Sequence, residues 1–271
     1  MHPFDQALSL EHVSPGVYRG LTSRVYWNMV GPFGGATAAT LLKAVLSHPD
    51  CLGEPVSLTV NYAGALGEGE FEVRLDVVRT NRSSQHWTAA IWQCEADGQW
   101  RINTTATVLT ALRRETWSQS DVPMPAVPPP AECTPAPLFD AVDWVKQYDT
   151  RPVIGAKPAV WDGALRASRM QLWMRDAEPR PVDHLTLTAL SDVFYPRIWL
   201  RRALRVPAGT VSMTVYFHAD AATLAATGAG YVLGQAQAQE FRNGFFDQSA
   251  QLWNEAGQTL TTSHQIVYYK E

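Results

Sequence analysis

Two stretches of the chain alternate hydrophobic and polar positions, and each stretch follows one helical pattern. In the first, segments rich in Val, Thr, Ile and aromatic residues are VSLTVNYA, FEVRLDVVRT, HWTAAIWQCEA and RINTTATVLTAL. Turn signals such as Gly67-Glu-Gly69 and Asp97-Gly98 separate them, a pattern typical of antiparallel strands. In the second, the corresponding segments are TVSMTVYFHA, YVLGQAQAQEF, DQSAQLWNEA and LTTSHQIVYY.

One helix is predicted before each set of strands. Gly34 and Gly35 precede ATAATLLKAVL, whose good helix formers end near Pro49, so we expect a helix over residues 34–48. In the second half, LTLTALSDVFY ends at Pro196 and predicts a helix over residues 183–195.

A weak internal repeat relates the two stretches. SLTVNYA at 57–63 aligns with SMTVYFH at 212–218, and IWQCEADGQ at 91–99 aligns with LWNEAGQ at 252–258 with a gap. Trp27 pairs with Trp173 in the same order, so a duplication is indicated. One helix followed by four antiparallel strands, twice, predicts an α+β tandem (double) hotdog, in which each half is a long antiparallel sheet wrapped around one central helix.

A proline-rich segment separates the two halves. Seven prolines lie between Val122 and Pro137, a density that neither a helix nor a central strand tolerates. We therefore expect an N-terminal hotdog at residues 1–117, a connector at 118–159 and a C-terminal hotdog at 160–271.

Composition narrows the classes of partner. The formal net charge of −4 gives no basic surface for nucleic acid. The longest apolar run, Ala36 to Leu46, is interrupted by Lys43, so no membrane span is expected. The N-terminus does not resemble a signal peptide, and three scattered cysteines suit a reducing compartment, so a cytoplasmic location is expected.

Several common catalytic motifs are absent from the sequence. It contains no GxSxG, HExxH, Walker A or GxGxxG pattern. The seven histidines never fall at metal-ligand spacing with a second donor type. We therefore expect neither a metal nor another cofactor.

Three residues in the second half carry a more specific signal. The run Leu187-Thr-Ala-Leu-Ser-Asp192-Val-Phe resembles the central helix of the acyl-CoA thioesterase II family, in which a serine-aspartate pair lies mid-helix. The strand that opens at Thr210 and the last strand, with Gln265, resemble the family's next and final strands. The resemblance covers nearly the whole chain. It implies hydrolysis of acyl-CoA by a water that Asp192, Thr210 and Gln265 activate.

The chemistry of thioester hydrolysis suits these residue types. The reaction needs a positioned water, a base and donors for the oxyanion. The leaving thiol has a pKa near that of cysteine, about 8.5, so no strong acid is required. Asp192 is expected mid-helix on a face shared with Leu185, Thr188 and Ala189, which is not a charged face.

The repeat predicts one composite site. In its register Asp192 falls near Lys43, Thr210 on Pro55 and Gln265 on Ala106, and none of these three can replace its counterpart. Conversely, glycines at 34 and 35 let a substrate carbonyl approach the amides of the first helix. We therefore expect the backbone of Gly34 and Gly35 to bind the oxyanion.

Other interpretations stay open. An enoyl-thioester hydratase on the same fold needs an Asp and a His a few residues apart, whereas Asp183 and His184 are adjacent. A non-catalytic acyl-binding module would keep the fold without turnover, and a homo-oligomer is compatible with either function. The arginines of RIWLRRALR are interpreted as a solvated charged face rather than a coenzyme A phosphate site; they are Arg197, Arg201, Arg202 and Arg205.

Overall fold

The computed structural model describes residues 1–137 and 142–271, and its long strands form one continuous antiparallel sheet. The first half contains α1 (Pro3–Ala7), β1 (Leu10–Ser14), β2 (Val17–Leu21), α2 (Gly34–Leu46), β3 (Glu54–Tyr62), β4 (Glu70–Thr80), β5 (Ser84–Cys94) and β6 (Trp100–Ala111). The second half contains β7 (Tyr148–Ile154), β8 (Met170–Asp176), α3 (His184–Leu190), α4 (Arg197–Arg202), β9 (Ala208–Phe217), α5 (Ala221–Thr227), β10 (Val232–Gln237), β11 (Phe241–Arg242), β12 (Phe245–Asn254) and β13 (Thr259–Tyr269). Short 3₁₀ helices lie at Arg24–Tyr26, Pro130–Glu132 and Trp144–Gln147.

The two halves arrange their strands in the same order, counted from the outer edge of each half to the centre of the sheet. It runs β1-β2-β4-β5-β6-β3-β9-β13-β12-β10-β8-β7, and β11 pairs with β12. The halves join where β3 pairs with β9, and Thr59 faces Thr214 at the centre with 3.0 Å between the hydroxyl oxygens. This symmetry confirms the tandem hotdog.

The repeat extends to a β-bulge. The β3–β6 register shifts between Pro55 and Ser57, and the β13–β9 register shifts between Ile266 and Val267, opposite Thr210. Both halves therefore carry the same irregularity at the same place, and Thr210 corresponds to Pro55 as the sequence predicts.

Two details of the predicted alignment are wrong. Gln265 pairs with Met213, so its counterpart is Val108 and not Ala106. The turn between β12 and β13 is two residues shorter than the alignment has it, and a shift of two residues keeps both side chains on the same face. Trp173 lies in β8, whose counterpart is β2, whereas Trp27 follows a 3₁₀ helix outside that strand.

The two central helices pack against each other inside the curved sheet. The predicted first helix is confirmed as α2, and ten of its thirteen residues are buried. Small side chains such as Ala38 and Ala39, both fully buried, allow α3 to approach closely. The two halves thereby share one interior, which contains both central helices.

The second central helix is shorter than the prediction of 183–195. It ends at Leu190, so Asp192 lies beyond the helix and not within it. Residues that precede a proline are disfavoured in the helical region, and Pro196 is the N-cap of a new helix, α4. The chain between the two helices is a turn that carries Asp192.

The arginine-rich segment also differs from its interpretation. It forms α4, and Arg197 is fully buried, not solvated. Its guanidinium donates to the carbonyl oxygens of Ser168 at 3.1 Å and of Tyr195. Burial lowers the pKa of Arg197 to about 9. The buried guanidinium therefore stabilises the start of α4 through these hydrogen bonds within the core.

Strand β7 lies inside the predicted connector, because Tyr148–Ile154 forms the edge of the second half's sheet. The proline-rich part of the connector contacts that half too, since the Trp173 indole donates to the Pro128 carbonyl at 2.8 Å. Among the described residues, no helix has the length and apolar character needed to cross a membrane.

Candidate active site

Asp192 sits at the junction of the two halves. Its backbone N–H donates to the Ala189 carbonyl at 3.0 Å, which closes a tight turn after α3. The other end of this short helix is capped by Asp183, whose carboxylate accepts from the Thr186 N–H at 2.8 Å. The turn therefore places the Asp192 carboxylate on the side of α3 that faces α2.

Gln265 and Thr210 hold the carboxylate from the sheet. The Gln265 amide nitrogen donates to Asp192 Oδ1 at 3.0 Å and to the Ser191 carbonyl at 3.3 Å. Its amide oxygen accepts from the Thr210 hydroxyl at 3.4 Å. Because Thr210 donates to the oxygen, the amide nitrogen points toward Asp192. The structure thus brings all three predicted residues together.

The two glycines meet the same carboxylate from the first half. The Gly35 N–H faces Asp192 and lowers the pKa of its carboxyl group, against the larger opposing effect of burial. A Cβ atom added to Gly34 would lie 2.8 Å from Asp192 Oδ2, and one added to Gly35 would lie 2.7 Å from the Ala189 carbonyl oxygen. Both positions therefore require glycine for close approach.

This contact changes the picture for the oxyanion. The sequence predicts both glycine amides as donors to substrate, and in the structure the Gly35 N–H also faces the Asp192 carboxylate. Gly34 lines the neighbouring cavity, and within the described residues no acceptor is recorded for its N–H. As the first amide of α2, that N–H has no partner inside its own helix.

Electrostatics favour proton exchange near neutral pH. Burial raises the pKa of Asp192 from its usual value of 3.8 to about 7, against the opposing effect of the hydrogen bonds from Gln265 and the Gly35 N–H. A carboxyl group in this range can both accept and return a proton at pH 7.

A cavity of about 440 Å³ opens onto the carboxylate and is lined by both halves. One part of the lining comes from the Asn28–Pro32 loop and the end of β3, and the other from α4, β9, β12 and β13. Aromatic side chains dominate the second part; they are Phe194, Tyr195, Trp199, Phe246 and Tyr268. Among the described lining residues, Asp192 is the only carboxylate and there is no Lys, Arg or His.

Sequence analysis missed Tyr62, which lines the cavity and donates its hydroxyl hydrogen to the Gly34 carbonyl at 2.9 Å. The repeat contains a signal for it, since Tyr62 aligns with Phe217, which has no hydroxyl. It also missed Trp199 of α4, because the arginines of that segment suggested a solvated face.

Comparisons with known families match both halves. The acyl-CoA thioesterase N-terminal domain matches residues 23–114, and the acyl-CoA thioesterase C-terminal domain matches residues 128–269. No relative was found among curated proteins.

Solved structures share the fold over the whole chain. A hotdog-fold protein of unknown function from Alicyclobacillus acidocaldarius is 42% identical, with 100% of this chain and 99% of that chain covered and a TM-score of 0.92. Acyl-CoA thioesterase II TesB2 from Mycobacterium marinum is 17% identical, with 98% of each chain covered and a TM-score of 0.76. The dehydratase domain of RzxB from Pseudomonas fluorescens is 12% identical over all of both chains, with a TM-score of 0.56.

Proposed function

Because this chain belongs to the acyl-CoA thioesterase family, we propose that it hydrolyses acyl-CoA thioesters to a free acid and coenzyme A. One observation supports this most directly. A carboxylate with a pKa of about 7 lies at a cavity between the halves, held by hydrogen bonds from both. Unpaired cysteines at 51, 94 and 133 further support our proposal of a cytoplasmic enzyme.

The first step is attack by water. A carboxylate has about four lone-pair positions, and the structure uses two of those on Asp192, for Gln265 and for the Gly35 N–H. A water on a remaining position gives its proton to Asp192 while its oxygen attacks the thioester carbonyl carbon. The carbonyl oxygen becomes an oxyanion, which the Gly34 N–H stabilises at the positive end of α2.

The second step is loss of the thiolate. The tetrahedral intermediate re-forms its carbonyl and breaks the carbon–sulfur bond, and the sulfur takes the proton from Asp192. Thr210 and Gln265 keep the carboxylate in one orientation through both transfers. The acid and the thiol leave, and Asp192 is again ionised.

The hydratase alternative fits the cavity less well. In the sequence-based hypothesis that reaction needs a histidine beside the aspartate, and the described lining residues include none. His184 lies at the far end of α3, where its ring contacts the Ala219 carbonyl at 3.3 Å. The shared fold of a dehydratase domain does not choose between the reactions.

A panel of acyl-CoA thioesters tests the proposal. Thiol release is followed with a chromogenic disulfide for saturated, branched, aromatic and enoyl substrates. Hydrolysis predicts thiol release with uncharged acyl groups, whereas hydration of an enoyl substrate would consume the double bond and release no thiol. A module that only binds would retain the thioester, and that result would refute the proposal.

Lys43→Ala supplies a matched control for substitutions at Asp192. Lys43 lies in the last turn of α2, far along the helix from Gly34, and near the repeat position of Asp192. We expect this variant to keep wild-type turnover, because the first half has a proline and a valine where Thr210 and Gln265 stand. Loss of activity in Lys43→Ala would contradict a single composite site.

A further inference from the structure

One peptide group connects Tyr62 to Asp192. The Tyr62 hydroxyl donates to the Gly34 carbonyl oxygen at 2.9 Å, and the next N–H along the chain, that of Gly35, faces Asp192, whose Oδ2 would stand 2.8 Å from a Cβ atom on Gly34. The Gly34 C=O and the Gly35 N–H belong to the same planar peptide unit. Its orientation therefore determines both hydrogen bonds together.

Tyr62 adds a second donor to this peptide, because the Gly34 carbonyl, as the first of α2, also accepts from the helix N–H four residues on. Both residues of the unit are glycines, which restrict backbone rotation least. The peptide lies at the start of α2, and Phe33, the residue before the helix, provides no side-chain cap. The Tyr62 ring lies 3.5 Å from the point where a Gly34 Cβ would stand, and Asp192 Oδ2 lies 2.8 Å from the same point.

We propose that Tyr62 is a positioning residue of the active site, which orients the Gly34–Gly35 peptide so that its N–H donates to Asp192. This inference rests on the proposed function and extends it to a group from the first half. A donor on the carbonyl also polarises the peptide, so that the N–H becomes a stronger donor. Tyr62 thereby stabilises the ionised carboxylate through the backbone.

Other charged groups near Asp192 act weakly. Burial, and then the negative charge of Asp192, raise the pKa of Tyr62 well above its usual value. Burial is also the main cause of the raised pKa of Tyr148 on β7, to which the charge of Asp192 adds a smaller effect. Strand β9 carries no charged residue, and His264 on β13 points to the opposite face and meets Asp247. Lys43 is the charged residue of α2. The peptide and Gln265 are thus the recorded hydrogen-bond donors to Asp192.

Tyr62→Phe tests the inference through the pH dependence of kcat/KM. Removing the hydroxyl weakens a hydrogen bond to an ionised group, so the acid limb should move to higher pH by about 0.5 to 1 unit. Hydrolysis at pH 6 should then fall about 3- to 10-fold relative to wild type, while the rate above pH 9 changes much less. Tyr18→Phe is the matched control, because Tyr18 is a buried tyrosine on β2. Its midpoint should equal that of wild type.

A second measurement needs no activity and no change at Tyr62. In wild-type protein, the Gly35 amide proton should shift with the ionisation of Asp192, followed by NMR and assigned by comparison with Asp192→Asn. An unchanged acid limb in folded Tyr62→Phe, or a Gly35 amide that ignores the Asp192 titration, would overturn the inference. If the protein hydrolysed no acyl-CoA while its Gly35 amide still responded to the titration of Asp192, only the proposed function would be refuted.

Discussion

Asp192→Asn separates the charge of the carboxylate from its size. Asparagine keeps an oxygen that can accept from Gln265, but it cannot take a proton from water. We expect acyl-CoA hydrolysis to fall by at least about 10²-fold, the usual contribution of a general base. The same change should make the protein more stable at neutral and alkaline pH, because a charge with a large burial penalty is removed.

The magnitude follows from the pKa of Asp192. Its folded value of about 7 exceeds its ordinary value of 3.8, so the folded state binds the proton more tightly than the unfolded state. The free energy of unfolding of wild type should therefore fall as pH rises from about 4 to 7, relative to the variant. The difference corresponds to at most about 4 kcal/mol, and less where solvent in the cavity screens the charge.

Denaturant unfolding of the two proteins between pH 4 and pH 8 measures this difference directly. All other titrating groups are shared, so the difference between the curves isolates Asp192. Thiol release at each pH gives the activity of the same samples. A variant that gains no stability relative to wild type between pH 4 and pH 8 would show that burial does not destabilise the ionised carboxylate. A folded variant that hydrolyses acyl-CoA at the wild-type rate would refute the assignment of the base.

Two further substitutions test other parts of the structure. Gly34→Ala should abolish hydrolysis, because its methyl group would stand 2.8 Å from Asp192 Oδ2. Kinetics alongside a thermal melt would check this, and a fully active variant would contradict the close approach of the carboxylate. Asp176→Asn should raise the free energy of unfolding at pH 8 by up to about 3 kcal/mol, since burial raises the pKa of Asp176 to about 6. Neither oxygen of that carboxylate has a hydrogen-bond partner among the described residues. The gain in the free energy of unfolding should shrink toward pH 4 in denaturant titrations. An equal gain at both pH values would point to packing instead.

The alternation of apolar and polar residues was sufficient to predict the strands that build the centre of the sheet. Strands β3, β9 and β13 alternate buried and exposed positions, a period that only a half-buried strand satisfies. Short edge strands such as β1 and β7 carry weaker patterns. From the sequence we expect a short strand before each helix, but the pattern does not assign residues to it. The end of α3 was also missed, because helix propensity does not register a side chain that bonds to a different element.

The sequence alone also grouped Asp192, Thr210 and Gln265 into one predicted site, through their resemblance to a family. It did not show that the Gly35 N–H meets Asp192 rather than substrate, or that Tyr62 holds the peptide between them. The first of these contacts joins residues from the two halves, and it exists only where α2 packs on α3; the second joins β3 to α2 within the first half. A periodicity specifies which face of an element is buried, whereas tertiary packing decides which atoms share that interior and therefore what charge it can hold.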